Sequence, residues 1–239
     1  MAITTPGAVD YHLASQSGNM SINPLTANTL MVWINSTTWT GGTTTSMVGT
    51  YNTATSGGTA IQIGTRNGTG NCDVWTWGGG VLVSSSGGSG ITTLTNNTWY
   101  HVAYTFDGTT HIMYINGIQT NTATTAQLAG TITAIYVNGF PSGGTAETGT
   151  FSIDDLSYFN RTLSANEVLS AYTTAGDRDG LIYSLTASCL FSEGTAGSVA
   201  NNCIDYSGKG NTLTPIGTAT GVNFVYATSP VCNDTRPVL

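Results

Sequence analysis

Short runs of β-branched and aromatic residues recur along the chain, each bounded by Gly, Thr, Ser or Asn. That rhythm predicts many short strands in an all-β sandwich or barrel, since the small polar residues let the backbone reverse between apolar runs. Leu30-Met31-Val32-Trp33-Ile34 reads as one strand and Ala60-Ile61-Gln62-Ile63 as another. Asp73-Val74-Trp75-Thr76-Trp77 and Val81-Leu82-Val83 follow. The most explicit stretch is 99–119. Trp99–Phe106 is a strand by propensity, Asp107-Gly108 turns it, His111–Ile115 returns, and Asn116-Gly117 makes the next tight turn. Asp-Gly and Asn-Gly accept positive φ, so this stretch is a three-strand meander. Ile132–Val137 and residues 150–159 are further strands.

The pattern gives one convincing helix. Ser164-Ala165-Asn166-Glu167 has the spacing of a capping box, in which the Ser hydroxyl takes the Glu amide and the Glu side chain reaches back. Val168, Leu169 and Tyr172 give that helix an apolar side, and Gly176 supplies a stop. The character then changes. Asp177-Arg178-Asp179-Gly180 is the densest charge cluster and reads as a surface connection. The expected organisation is a sandwich over 1–176 and a β-rich extension over 177–239. With too few apolar residues for a core of its own, the extension either completes the same sandwich or packs on a neighbouring subunit.

Composition sharpens this. Of 239 residues, 7% are charged, against ~25% in ordinary soluble domains. The polar surface is therefore built from Thr, Ser, Asn and Gly, which suits tight lateral packing or glycan contact because few ions need desolvating. Net charge is −7, and Arg66, Arg161, Arg178, Lys209 and Arg236 are scattered. Without a basic patch, neither nucleic acid nor an anionic membrane is an expected partner. The N-terminus has no basic segment followed by an apolar stretch, so the expectation is synthesis in a cytoplasm and exit by another route. The four cysteines, Cys72, Cys189, Cys203 and Cys232, form no Cys-x-x-Cys pair, which argues against a zinc ribbon. Cys189 with Cys203 closes a short loop and is the preferred disulfide, with four buried free thiols as the alternative.

Trp99-Tyr100-His101-Val102-Ala103, Asp107-Gly108 and Met113-Tyr114-Ile115-Asn116-Gly117 together resemble the central hairpin of laminin-G-like and pentraxin-like jelly rolls of the concanavalin A-like superfamily. The run from Phe151 through Asp154-Asp155 to Asn160-Arg161-Thr162-Leu163-Ser164 resembles that family's closing strand and its turn into a short helix. Ala8-Val9-Asp10-Tyr11 looks like the strand before the loop. The likeness covers about residues 8–173, an approximate boundary. It implies a two-sheet antiparallel jelly-roll β-sandwich with one short helix. Gly180–Leu185 and Asp205-Tyr206-Ser207-Gly208-Lys209-Gly210-Asn211 look like the opening strand and turn of such a domain, placed last. The extension thus either completes its own sandwich, as in a circular permutation, or lends a strand to a neighbour.

The superfamily's fold also houses β-glucanases, which use paired carboxylates about 5 Å apart in retaining enzymes. Glu147, Glu167 and Glu193 do not sit in that pattern. Asp154 and Asp155 are adjacent on a strand and point to opposite faces, so a structural role is expected, one of them anchoring the turn at Asn160-Arg161. Ser164 and Glu167 are assigned to helix capping. His101 and His111, on two arms of one hairpin, are expected to face each other in a structural role. The resemblance also implies a possible calcium rim. Calcium wants six to eight oxygens with several carboxylates, and Asn71 and Asp73 are the nearest approach. A solvated turn is preferred there, so no cofactor is expected unless Ca²⁺. A glycan would stack on an exposed ring. Trp39 and Tyr51 are the candidates, because Trp75 and Trp77 share one strand face and read as core.

Three functions follow. The first is a virion-surface protein, a capsid decoration or cement subunit of a tailed phage, made in the host cytoplasm, self-associating and contacting a major capsid protein and host glycans. The second is an extracellular lectin-like adhesion module without a capsid role. The third, a glycoside hydrolase, lacks its carboxylate pair. The expectation is therefore a non-enzymatic structural or binding protein.

Overall fold

The computed structural model describes residues 2–4, 11–15, 20–37, 39, 44–52, 59–66, 70–76, 80–86, 88, 93–127, 129–139, 149–174, 185–189, 205, 207, 209, 211–217 and 225–227. They form two antiparallel sheets, a jelly-roll sandwich. The first sheet holds β1 (Ala2–Thr4), β3 (Asn28–Ser36), β8 (Trp99–Phe106), β9 (His111–Ile115), β10 (Ile118–Ala123), β12 (Phe151–Phe159), β13 (Leu185–Cys189) and β15 (Val225–Ala227). Its order is β10-β9-β8-β3-β12-β1-β15, with β13 also pairing β12. The second holds β2 (Tyr11–Ser15), β4 (Thr45–Asn52), β5 (Thr59–Thr65), β6 (Asp73–Thr76), β7 (Gly80–Ser84), β11 (Ile132–Val137) and β14 (Leu213–Gly217), in the order β14-β2-β11-β4-β5-β6-β7. The strands expected at 99–106, 111–115 and 132–137 fall at those bounds. β4 has no counterpart in the sequence reading.

Side chains from both sheets meet in one core that includes Leu30, Val32 and Ile34 of β3, Val102 and Tyr104 of β8, Ile61 and Ile63 of β5, and Ile135 and Val137 of β11. β3, β8 and β12 are buried almost throughout, because their other face is covered too. Helix α1 (Ala165–Thr173) lies there, packing Val168 and Ala171 with Met31, Ala103, Tyr114 and Phe159. That explains the unbroken apolar run of β3: strands covered on both faces lose the alternation of half-buried ones. Tyr172 stacks on Trp33 with ring centroids 5.5 Å apart. Leu169, expected on the apolar side of the helix, is instead 43% exposed. Gly176 lies outside the described residues.

The β9–β10 turn shows why Asn-Gly was informative. Asn116 and Gly117 have φ of 52° and 76°, and the Asn116 Oδ1 accepts the His101 amide at 2.9 Å. A Cβ on Gly117 would stand 2.9 Å from Leu169 Cδ1, so helix and turn fit only through glycine. The two hairpin histidines do not face each other. Phe106, not His101, stands opposite His111, and the odd spacing of β8 puts His101 on the helix-covered face while His111 joins the inter-sheet side with Tyr104 and Phe106.

The turn into α1 is held by Thr29, whose hydroxyl donates to the Arg161 carbonyl at 2.9 Å and accepts the Leu163 amide at 3.0 Å. Thr162 Oγ1 adds a bond to the Phe106 carbonyl at 2.6 Å. Asp154 and Asp155 lie further back along β12, where both are buried. Asp155 is five residues from the exposed Asn160, about 16 Å along a strand, and Asp154 Oδ1 accepts the Asp155 amide at 2.9 Å. Asp155 and Leu156 together oppose one residue of β3, a bulge with Asp155 at φ 54°. The bulge has a topological role. On the edge of β12, β1 pairs with Ser152 and Ile153 while β13 begins pairing at Leu156. Two strands from opposite ends of the chain thus share one edge, and the bulge marks their seam. β14 pairs β2 and β15 pairs β1, so strands of the 177–239 extension add to both sheets of the same chain.

Candidate functional site

The outer face of the seven-stranded sheet gathers the chain's polar chemistry. On β5 and β6, Ile61, Ile63 and Val74 belong to the core, so alternation turns Gln62, Gly64, Asp73 and Trp75 outward. Register then sets two rows across the strands. The first runs Tyr136, Gly49, Gln62, Trp75. The second runs Ser46, Gly64, Asp73, Ser84. Tyr51, two residues from Gly49 on β4, shares the face.

The glycines are needed by close approach. A Cβ on Gly49 would fall within the Tyr136 hydroxyl, 2.5 Å from its Cζ and 2.7 Å from the Ile61 carbonyl oxygen. Tyr136 therefore lies across the strand at Gly49, its hydroxyl 3.4 Å from Ser46 Oγ. A Cβ on Gly64 would overlap the Thr45 carbonyl oxygen. Gln62, Tyr136, Ser46, Trp75 and Asp73 are buried although they point away from the inter-sheet core, whereas Tyr51, Arg66, Asn71 and Ser84 are half-buried and form the margin.

Asp73 carries the clearest electrostatics. Burial pushes its carboxyl up from the ordinary value, while the Ser84 hydroxyl and the Arg66 charge pull it down. Ser84 Oγ donates to Asp73 Oδ1. The Arg66 guanidinium sits 6.0 Å from the Trp75 ring centroid, a cation–π contact. Asp73, expected as a weak calcium ligand with Asn71, is thus already engaged by a hydroxyl and a nearby cation. Among the described residues no three His, Cys, Asp or Glu side chains converge as a metal set.

Trp39 is placed otherwise than expected. It is fully buried in the inter-sheet core, edge-on to Tyr100 at 6.4 Å, because an indole beside a sandwich loses more water-exposed apolar area by turning in than by staying at the rim. It has no free face for a sugar. Tyr51 lies within β4, not in a loop, and keeps partial exposure. Trp75, read as core, belongs to the outer face. Trp77 and Cys203 lie outside the described residues, and only the backbone of Cys189 is described. Cys72 is a buried thiol in the core, and burial pushes its pKa well up. Ser164 and Glu167 form the capping box, with Glu167 Oε2 accepting the Ser164 amide at 2.8 Å and Ser164 Oγ accepting the Glu167 amide at 3.4 Å.

Gln62, Arg66, Ser84 and Tyr136 were not singled out in the sequence. Gln62 stood between Ile61 and Ile63, and Tyr136 between Ile135 and Val137. Strand alternation places both opposite the core-facing Ile61, Ile63, Ile135 and Val137, but nothing local says that the outward face is itself built.

A family model described as the concanavalin A-like lectin/glucanases superfamily matches residues 8–169. No curated protein matches the chain. Among solved structures, a candidate carbohydrate-binding protein from Bacteroides ovatus is similar at 14% identity and a TM-score of 0.58, covering 98% of this chain and 62% of its own. The chain thus spans about three-fifths of that protein. The heptameric SAP-like pentraxin of Limulus polyphemus is similar at 15% identity and a TM-score of 0.57, covering 95% of this chain and 94% of its own. At such identities the likeness shows the fold.

Proposed function

The chain belongs to the concanavalin A-like lectin/glucanases superfamily, and from that premise we propose that it is a non-enzymatic, lectin-like carbohydrate-binding module. The outer face of the seven-stranded sheet is its binding surface. The observation that carries this is the half-buried margin of that face, where the Tyr51 ring, the Asn71 amide, the Ser84 hydroxyl and the Arg66 guanidinium border the buried rows of Gln62, Trp75, Ser46 and Tyr136. Amides and hydroxyls meet sugar hydroxyls, and rings meet the apolar face of a pyranose. The similarity to a candidate carbohydrate-binding protein supports this reading over the capsid-cement one.

The test is a glycan array probed with the full chain, followed by titration of the retained glycans. Tyr51→Ala and Asn71→Ala are expected to weaken binding, Tyr51→Ala by about tenfold for a lost ring contact, with circular dichroism unchanged. An array with no retained glycan, or variants that bind like the parent, would sink the proposal. Release of shorter sugars from a bound glycan would overturn its non-enzymatic part.

A further inference from the structure

We infer that this face takes neutral glycans and discriminates against acidic ones, the uronates, sialates and sulfated sugars; the inference rests on the binding reading above. Recognition of an acidic sugar asks for a cation whose charge is not already offset, ideally a guanidinium presented for bidentate contact. Among the described residues of this face the cation is Arg66. Its guanidinium lies over Trp75 at 6.0 Å, and its charge acts on the Asp73 carboxylate, which Ser84 holds in place. The two formal charges offset each other. Among the described residues, the other half-buried groups at its margin are uncharged: the Asn71 amide and the Ser84 and Tyr51 hydroxyls. These groups match the hydroxyl and acetamido groups of neutral sugars. The net charge of −7 adds a field that repels anions.

The test prints each neutral glycan beside its sialylated, uronic or sulfated counterpart and measures affinity for both members. The wild-type chain is expected to favour the neutral member by about tenfold or more, with little change in neutral affinity between about 20 and 500 mM NaCl. Asp73→Asn keeps the shape and the Ser84 bond but leaves Arg66 without its counter-charge. It is expected to raise affinity for the acidic member by about tenfold at low salt. Arg66→Gln is expected to give no such gain.

Preference of the wild-type chain for acidic members overturns the inference and leaves the binding reading standing. So does a folded Asp73→Asn variant whose ratio is unchanged. If Asp73→Asn does not fold, Arg66→Gln decides, because a rise in the neutral-to-acidic ratio would mean that Arg66 had been attracting anions. Retention of neither class overturns both.

Discussion

Gly49→Ala tests whether the outer face is built as its register implies. The added methyl would meet the Tyr136 Cζ at 2.5 Å and the Ile61 carbonyl at 2.7 Å. Neither can yield cheaply, since one belongs to a rigid ring and the other to the β4–β5 ladder. Overpacking of this kind costs about 1–3 kcal/mol. Relief of the glycine penalty in a strand returns about 0.5–1 kcal/mol, which leaves a net loss of about 0.5–2 kcal/mol. Urea denaturation should show it as a lower midpoint with an unchanged slope. A cycle then identifies the neighbour. Tyr136→Phe should not relieve the clash, because the ring carbon itself is too close. Tyr136→Ala, costing about 3–5 kcal/mol alone, should absorb the part due to the ring and leave the part due to Ile61. A Gly49→Ala variant as stable as the parent would refute the reasoning. So would equal relief by Tyr136→Phe and Tyr136→Ala.

Three further outcomes are expected. Thr29→Val removes the hydroxyl that accepts the buried Leu163 amide and donates to Arg161, and should cost about 1–3 kcal/mol in chemical denaturation, with Thr29→Ser recovering most of it. Glu167 is held down to about 2, first by Arg161 and also by Ser164. A depressed carboxyl contributes stability that is present above its ordinary value of 4.5 and lost as pH falls from there toward 2. Acid denaturation of Glu167→Gln should lack that component, and an unchanged acid limb would contradict the capping geometry. His111 Nε2 lies 2.6 Å from the Thr125 carbonyl, which can only accept, so Nε2 carries the proton and Nδ1 accepts from the Tyr104 hydroxyl at 2.8 Å. Burial lowers its pKa below 6.5, so the neutral ring adds stability above pH 6.5 that is lost as pH falls through the folded value. Imidazole NMR shifts should show the Nε2–H tautomer persisting below pH 6.5, and a ring that charges there like an exposed histidine would refute this.

The meander over β8, β9 and β10 was legible because two local signals agreed: apolar runs, and turns whose Asp-Gly and Asn-Gly accept positive φ. β4 was not legible, and the reason lies in Gly49. Thr45-Ser46-Met47-Val48-Gly49-Thr50 carries few large apolar residues, and its glycine reads as a turn until Tyr136 is seen across it. The same distance in sequence hid the burial of Trp39 and the seam at Asp155. Each depends on a strand contributed from elsewhere in the chain, and no local pattern encodes that.

The low charge of the chain takes on a second meaning in this light. Read from composition alone, it described a surface. In the fold, polar residues such as Ser46, Gln62 and Thr65 are fully buried, two of them on the outer face of the seven-stranded sheet and away from the core. Uncharged groups tolerate that position at modest cost when hydrogen-bonded, whereas ions do not. Asp73 illustrates the limit: it is buried with a hydroxyl donor and a nearby guanidinium, and its carboxyl is still pushed upward. The first sheet buries its outer face with apolar side chains under α1, whereas the seven-stranded sheet buries hydroxyls, an amide and an indole and leaves Tyr51, Asn71 and Ser84 half-buried at the margin. It is thus the margin and not the buried rows that folding leaves open to a ligand.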